Sequence, residues 1–143
     1  MAIGWLRNRY YHDLDMLVAL ISNLAVGEYS QRTPNGLSRD LSIDEDALVK
    51  VLDNYKSLFR KAKNPKPGGK QAPYSLHLRY ALQYVEGEDP SVKKPPLPTE
   101  HVTALLEFVA EMARQERSWS MQTVAALIAA AASFIVASIA LLT

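Results

Sequence analysis

The hydrophobic pattern of this chain changes character along its length, and the last 23 residues are the most distinctive. From Met121 to Thr143 the sequence reads MQTVAALIAAAASFIVASIALLT, and no charged residue follows Arg117. As a helix, Met121 to Leu142 would be about 33 Å long, close to the ~30 Å hydrocarbon core of a bilayer. The run is apolar on all sides. A soluble domain would have to surround such a helix with protein, and a chain of 143 residues has little to spare for that. Residues 121–143 are therefore expected to form a single transmembrane helix, a tail anchor. Its polar members, such as Ser133 and Ser138, are small enough to bond back to their own helix.

Upstream, the period is that of amphipathic helices. Leu14, Leu17, Val18, Ile21, Leu24 and Ala25 predict a helix over about 10–25, ended by Gly27, with a very short strand at Glu28–Ser30. Thr33-Pro34 reads as a cap followed by proline at the first helical position, opening a short helix to Leu41 that buries Leu37 and Leu41. Ser42-Ile43-Asp44-Glu45 reads as a capping box. The helix after it, Ile43 to about Leu58, carries the stripe Leu48, Val51, Leu52, Tyr55 and Phe59. A glycine- and proline-rich turn, KNPKPGGKQAP, then separates Leu58–Lys63 from a stretch of period two, Tyr74, Leu76, Leu78, Tyr80, Leu82 and Tyr84. A strand is expected through about Arg79. Tyr80–Glu86 stays open between strand and helix.

Residues 87–98, GEDPSVKKPPLP, read as an extended proline-rich linker. Thr99 then caps an amphipathic juxtamembrane helix over 99–120, with Val102, Leu105, Leu106, Val109 and Ala113 on its apolar stripe and Trp119 marking the membrane interface. The basic-aromatic lead, with Trp5, Arg7 and Arg9, fits either packing on the domain or lying on lipid.

Composition refines this picture. The mean hydropathy of −0.09 conceals the apolar run in a polar remainder. Residues 1–98 hold 14 Lys/Arg against 11 Asp/Glu, and residues 99–143 hold two against four. With no cysteine there is no disulfide framework, thiol nucleophile or cysteine-based zinc site. The opening residues lack the apolar core of a signal peptide, so the head is expected in the cytoplasm, with a single pass across the membrane.

No constellation of catalytic residues is found. His12, His77 and His101 are far apart, and His12-Asp13 lacks the further ligands that a metal-dependent hydrolase would need. Glu107 and Glu111 share a wet helix face, and Gly68-Gly69 is a turn with no phosphate-loop signature. The expectation is a protein with no enzymatic activity, cofactor, metal or small-molecule substrate.

The helix HDLDMLVALISNLA, the short helix TPNGLSRDL, the capped helix SIDEDALVKVLDNYKSLF and the turn KNPKPGGKQAP before YSLHLRYAL together resemble the winged helix-turn-helix superfamily. The resemblance covers about residues 10–84 and implies a mainly α fold with a small β-hairpin, in a domain spanning residues 1–86. It also implies that the third helix enters the DNA major groove while the wing touches backbone. Two features disagree here. Lys56, Arg60, Lys61, Lys63, Lys66, Lys70 and Arg79 lie between Asp53 and Glu86 with no acid among them, which suits a phosphate backbone or an acidic partner. The third helix, however, begins Asp44, Glu45, Asp46, which suits a helix N-terminus and not a row of phosphates.

The expected function is a membrane-anchored interaction module that recruits a protein partner to the cytoplasmic face of the membrane. The alternatives are a membrane-tethered DNA-binding regulator, with nucleic acid on the wing, and a membrane-disrupting effector of a bacterial toxin or phage-defence system. Ala125, Ala129, Ser133 and Ala137, spaced by four, form a small-residue stripe through which anchors can self-associate.

Overall fold

The computed structural model describes residues 9–89 and 92–142; in the last helix it leaves aside the side chains of 120, 134, 135 and 139–142. Trp5 and Arg7 of the lead lie outside the described residues. The chain runs α1 (Arg9–Val26), β1 (Gln31–Arg32), α2 (Pro34–Leu41), α3 (Glu45–Asn54), β2 (Phe59–Lys61), β3 (Tyr74–Leu76), α4 (His77–Gln83) and α5 (Thr99–Leu142). It is mainly helical, with a small antiparallel sheet and one long apolar helix at the end.

Helix α1 is the centre of the packing. Leu17, Leu20, Ile21, Leu24 and Ala25 are fully buried. The buried stripe is rotated from the expected one: Leu20 is inside and Val18 is 38% exposed. The steps Leu17–Leu20–Leu24 keep one face, and Val18 falls about 100° beyond Leu17 at 3.6 residues per turn. Gly27 closes the helix with its N–H on Asn23 O at 2.9 Å. Any Cβ there would lie 2.7 Å from that same oxygen, so glycine fits where larger residues collide.

Thr33 and Pro34 act as their chemistry dictates. Thr33 Oγ1 accepts from Gly36 N at 3.2 Å, and Pro34 takes the first position of α2. Leu37 is buried and Leu41 half-buried. The next cap falls two residues later than the capping box implied. Ser42 adopts a left-handed conformation, φ 54°, and terminates α2, while Asp44 accepts from Ala47 N at 3.1 Å and opens α3. Helix α3 stops at Asn54, four residues short of expectation, because the chain turns at Tyr55 to enter β2. Leu48, Val51, Leu52, Tyr55 and Phe59 are all buried, the last of them from the strand.

The sheet has three strands in the order β1-β3-β2, all antiparallel, one more than a hairpin. Gln31 pairs with Ser75, and Phe59 with Leu76. The added strand β1 lies at Gln31–Arg32, beyond the Glu28–Ser30 predicted for it. The alternating stretch stays a strand only to Leu76 and becomes α4 at His77. Its residues satisfy both periods, and helix prevails once ladder partners run out.

Segment 92–98 is extended, as its prolines dictate, but it does not hang free. Lys94 N donates to Glu28 O at 2.8 Å, Leu97 N donates to Ala25 O at 2.9 Å, and Leu97 is buried. The strap delivers the chain into α5, which runs unbroken for 44 residues, about 66 Å. Its first half packs antiparallel along α1. Val109 and Ala113 enter the core, with Val102, Leu105 and Leu106 against it. Tyr10 meets Phe108 edge-on at 6.2 Å, and Tyr11 N donates to Glu116 Oε2 at 3.0 Å. The second half leaves the domain. It is the one helix among the described residues long and apolar enough to cross a membrane, and its most apolar window is wholly unburied.

Candidate interaction surfaces

Three parts of the structure bear on function: the buried arginine under the strap, the basic hairpin, and the uncovered half of α5.

Arg79 departs from the group in which its sequence neighbourhood placed it. It is fully buried at the start of α4 and cannot contact a partner. Its Nη1 donates to Leu24 O at 2.8 Å, its Nη2 to Lys94 O at 3.1 Å and Pro95 O at 2.9 Å, and its Nε to Gln83 Oε1 at 3.1 Å. The fork thus joins the end of α1, the strap and α4. Burial pushes its pKa down from the ordinary value.

The other six cations, Lys56, Arg60, Lys61, Lys63, Lys66 and Lys70, lie on the hairpin and its approach, exposed or half-buried. The ion pairs of the described residues are Arg32–Asp40, Lys93–Glu28, Lys94–Glu88 and Arg114–Glu111, and none involves these six. Instead, the Arg60 guanidinium lies 3.8 Å from the centre of the Tyr80 ring, and Lys61 sits 5.6 Å from that of Tyr74. A cation held over a ring keeps its charge and its outward donors available. Arg60 and Lys66 line one cleft of about 270 Å³, together with Tyr80 of α4 and with Tyr84 and Val85, which follow α4. Tyr84 and Val85 are each 57% exposed. None of these three is a candidate from the sequence alone, because Tyr80–Glu86 fits both a strand and a helix and its exposed face is undefined until the fold is known.

Two of the three acids at the start of α3 do local work. Asp44 caps the helix, and Glu45 accepts from Gln71 on the hairpin and from Asn35 on α2. This ties the helix N-terminus to its neighbours.

Two buried tyrosines brace the domain. Tyr55 donates to Asp13 at 2.9 Å, and Tyr74 donates to Asp53 at 2.6 Å. Both phenols have pKa values raised well above 10, by burial first and then by the bonded carboxylate. The folded chain therefore keeps these protons where the unfolded chain loses them. Their contribution is complete below about pH 10 and is lost as pH rises beyond it. Unfolding free energy is expected to fall by about 1.4 kcal/mol per phenol at one unit above the ordinary pKa. Urea unfolding at pH 9 and pH 11 measures this. The double variant Y55F/Y74F should flatten most of the fall, and an equal slope in that variant would contradict the assignment.

Along α5, Ala125, Ala129, Ser133 and Ala137 all lie exposed. Ser133 Oγ donates to Ala129 O and Thr123 Oγ1 to Trp119 O, each at 2.9 Å, so both hydroxyls are satisfied within the helix. Trp119, 73% exposed, stands just before the apolar run. Among the described residues no group of His, Cys, Asp or Glu is arranged to hold a metal. No family model matches this chain, and neither the curated proteins nor the solved structures contain a match.

Proposed function

We propose that this protein is a single-pass membrane protein whose head, a winged-helix-like module, recruits a partner to the cytoplasmic face. The observation that carries the reading is α5: one helix serves as a core element of the head through Val109 and Ala113 and then continues, uncharged and uncovered, from Met121. A soluble protein would leave some 30 Å of apolar helix in water, which the hydrophobic effect strongly opposes. Arg114 and Arg117 precede the apolar run with no charge after it, which favours a cytoplasmic head. The order α1-β1-α2-α3-β2-β3, with β3 between β1 and β2, supports the winged-helix reading. Major-groove reading by α3 is disfavoured, since Asp44 and Glu45 are engaged in capping and in holding the hairpin. That leaves the hairpin and α4 as the surface offered to a partner.

Fractionation tests the foundation. The full chain is expected in the membrane pellet and resistant to alkaline carbonate, while a chain ending at Arg117 is expected in the supernatant. A full chain that stays soluble would refute the reading.

A further inference from the structure

We propose that the cleft between the β2–β3 hairpin and α4 docks a short acidic peptide segment of the partner, with an apolar side chain adjoining the acidic residues. This rests on the reading of the head as a recruiting module and names the partner's chemistry.

The two walls of the cleft differ in kind. The hairpin wall supplies Arg60 and Lys66, and none of the hairpin cations has a carboxylate partner among the described residues. Cations left unpaired beside a concave surface attract anionic segments and orient them. The Arg60 guanidinium is already fixed over Tyr80, so little side-chain entropy remains to be lost when a carboxylate binds its open edge. The other side, where the chain leaves α4, supplies the exposed faces of Tyr84 and Val85. The Tyr84 ring packs on Tyr80, with centroids 4.9 Å apart, and still leaves more than half its surface open; a braced tyrosine beside an aliphatic residue, next to arginine, is the composition of a protein-binding core.

Single-stranded nucleic acid would use the same cations and rings, but two features count against it. Val85 offers neither stacking nor a hydrogen bond to a base. Beyond Val85 the cleft is bordered by Glu88, which is ion-paired with Lys94, and by Asp89, so a continuous phosphate track leaving Arg60 and Lys66 would meet no unpaired cation there. A peptide that is acidic for one stretch and apolar for the next meets cations first and the Tyr84–Val85 face after.

The test uses the full chain in detergent micelles and fluorescence anisotropy of labelled probes. The first probe is a peptide of five glutamates followed by phenylalanine and leucine. The second replaces the glutamates with glutamines, the third lacks the apolar pair, and the fourth is a twelve-nucleotide oligothymidylate. The first should bind saturably, weaken as salt rises, and exceed the second by at least about tenfold. R60E/K66E should reduce its binding by about tenfold or more, and Y84A by several-fold, each with an unchanged circular dichroism spectrum. Hydrogen exchange on the unmutated chain provides a second measurement, with the peptide expected to protect residues 60–67 and 80–85. Equal binding of the glutamine peptide, tighter binding of the oligonucleotide, or no saturable binding and no protection would each overturn the proposal. Those failures differ from failure of the parent reading, which carbonate extraction of the same preparation reports separately.

Discussion

Replacing Arg79 with methionine is expected to destabilise the head by about 3–5 kcal/mol, the largest effect of any single polar substitution in this chain. The side chain is fully buried and donates to three backbone carbonyls, those of Leu24, Lys94 and Pro95; Pro95 O keeps a second donor in Gln83 Nε2 at 2.9 Å, so the loss falls on Leu24 and Lys94. Methionine fills similar volume, so the loss is electrostatic and not a cavity. Each carbonyl deprived of its donor costs about 1–3 kcal/mol if water cannot reach it. The exposed side of the strap can recover part of this, which sets the upper bound. Arg79→Lys keeps the charge but not the planar fork, and one ammonium cannot reach all three oxygens in the same geometry. It should lie between wild type and methionine. Urea unfolding of the full chain in micelles, followed by circular dichroism, gives the magnitude. Trypsin gives the location: loss of the clamp should speed cleavage after Lys93, at the edge of the released strap. A methionine variant as stable as the parent would show that the fork is dispensable.

The role of Arg79 also marks the limit of reading this fold from its pattern of residues. Helix α2 was legible because its signals are local: Thr33 caps, Pro34 starts, and three residues suffice. The same holds for the buried stripe of α3. Where two local signals competed, the outcome depended on neighbours. Ser42 and Asp44 are both good caps, and Ser42 was drawn into ending α2, leaving Asp44 to begin α3. Tyr74–Tyr84 satisfies two periods at once, and the length of the partner strand decided where one gave way to the other. Arg79 carried no local signal at all. In the sequence it is one of seven cations in a run without acids, and its backbone acceptors lie 55, 15 and 16 residues away. The strap behaved likewise: its prolines specified an extended backbone, while its attachment to Glu28 and Ala25 is long-range. The cleft is composite for the same reason, since the hairpin and α4 meet only after the sheet has formed.

Val109→Glu is expected to detach α5 from α1 while leaving membrane insertion intact. Val109 is fully buried and belongs to a cluster of apolar side chains, a setting that stabilises no ionised carboxylate. The cost of burying it unpaired exceeds about 3 kcal/mol and falls on the docked state alone, so it shifts the equilibrium toward undocking. Phe108→Glu, one residue earlier and 47% exposed, should change stability by no more than about 1 kcal/mol, its loss confined to the edge contact with Tyr10. Because the chain has no cysteine, two can be introduced cleanly, Tyr11→Cys and Arg117→Cys, where the Arg117 guanidinium lies 5.8 Å from the centre of the Tyr11 ring. A short bis-maleimide should join them efficiently in the parent and at least about fivefold less in V109E, with V109E still in the membrane pellet. Undiminished cross-linking would mean that the interface tolerates the charge. The distinction matters for how the head works. On the proposed reading, docking of α5 would make the head and the membrane-spanning half one rigid element, so the hairpin and its cleft would hold a fixed height and tilt above the bilayer, and any force on the head would be transmitted along the helix. With α5 undocked, the same cleft would swing on a tether, and a partner would be recruited without being oriented.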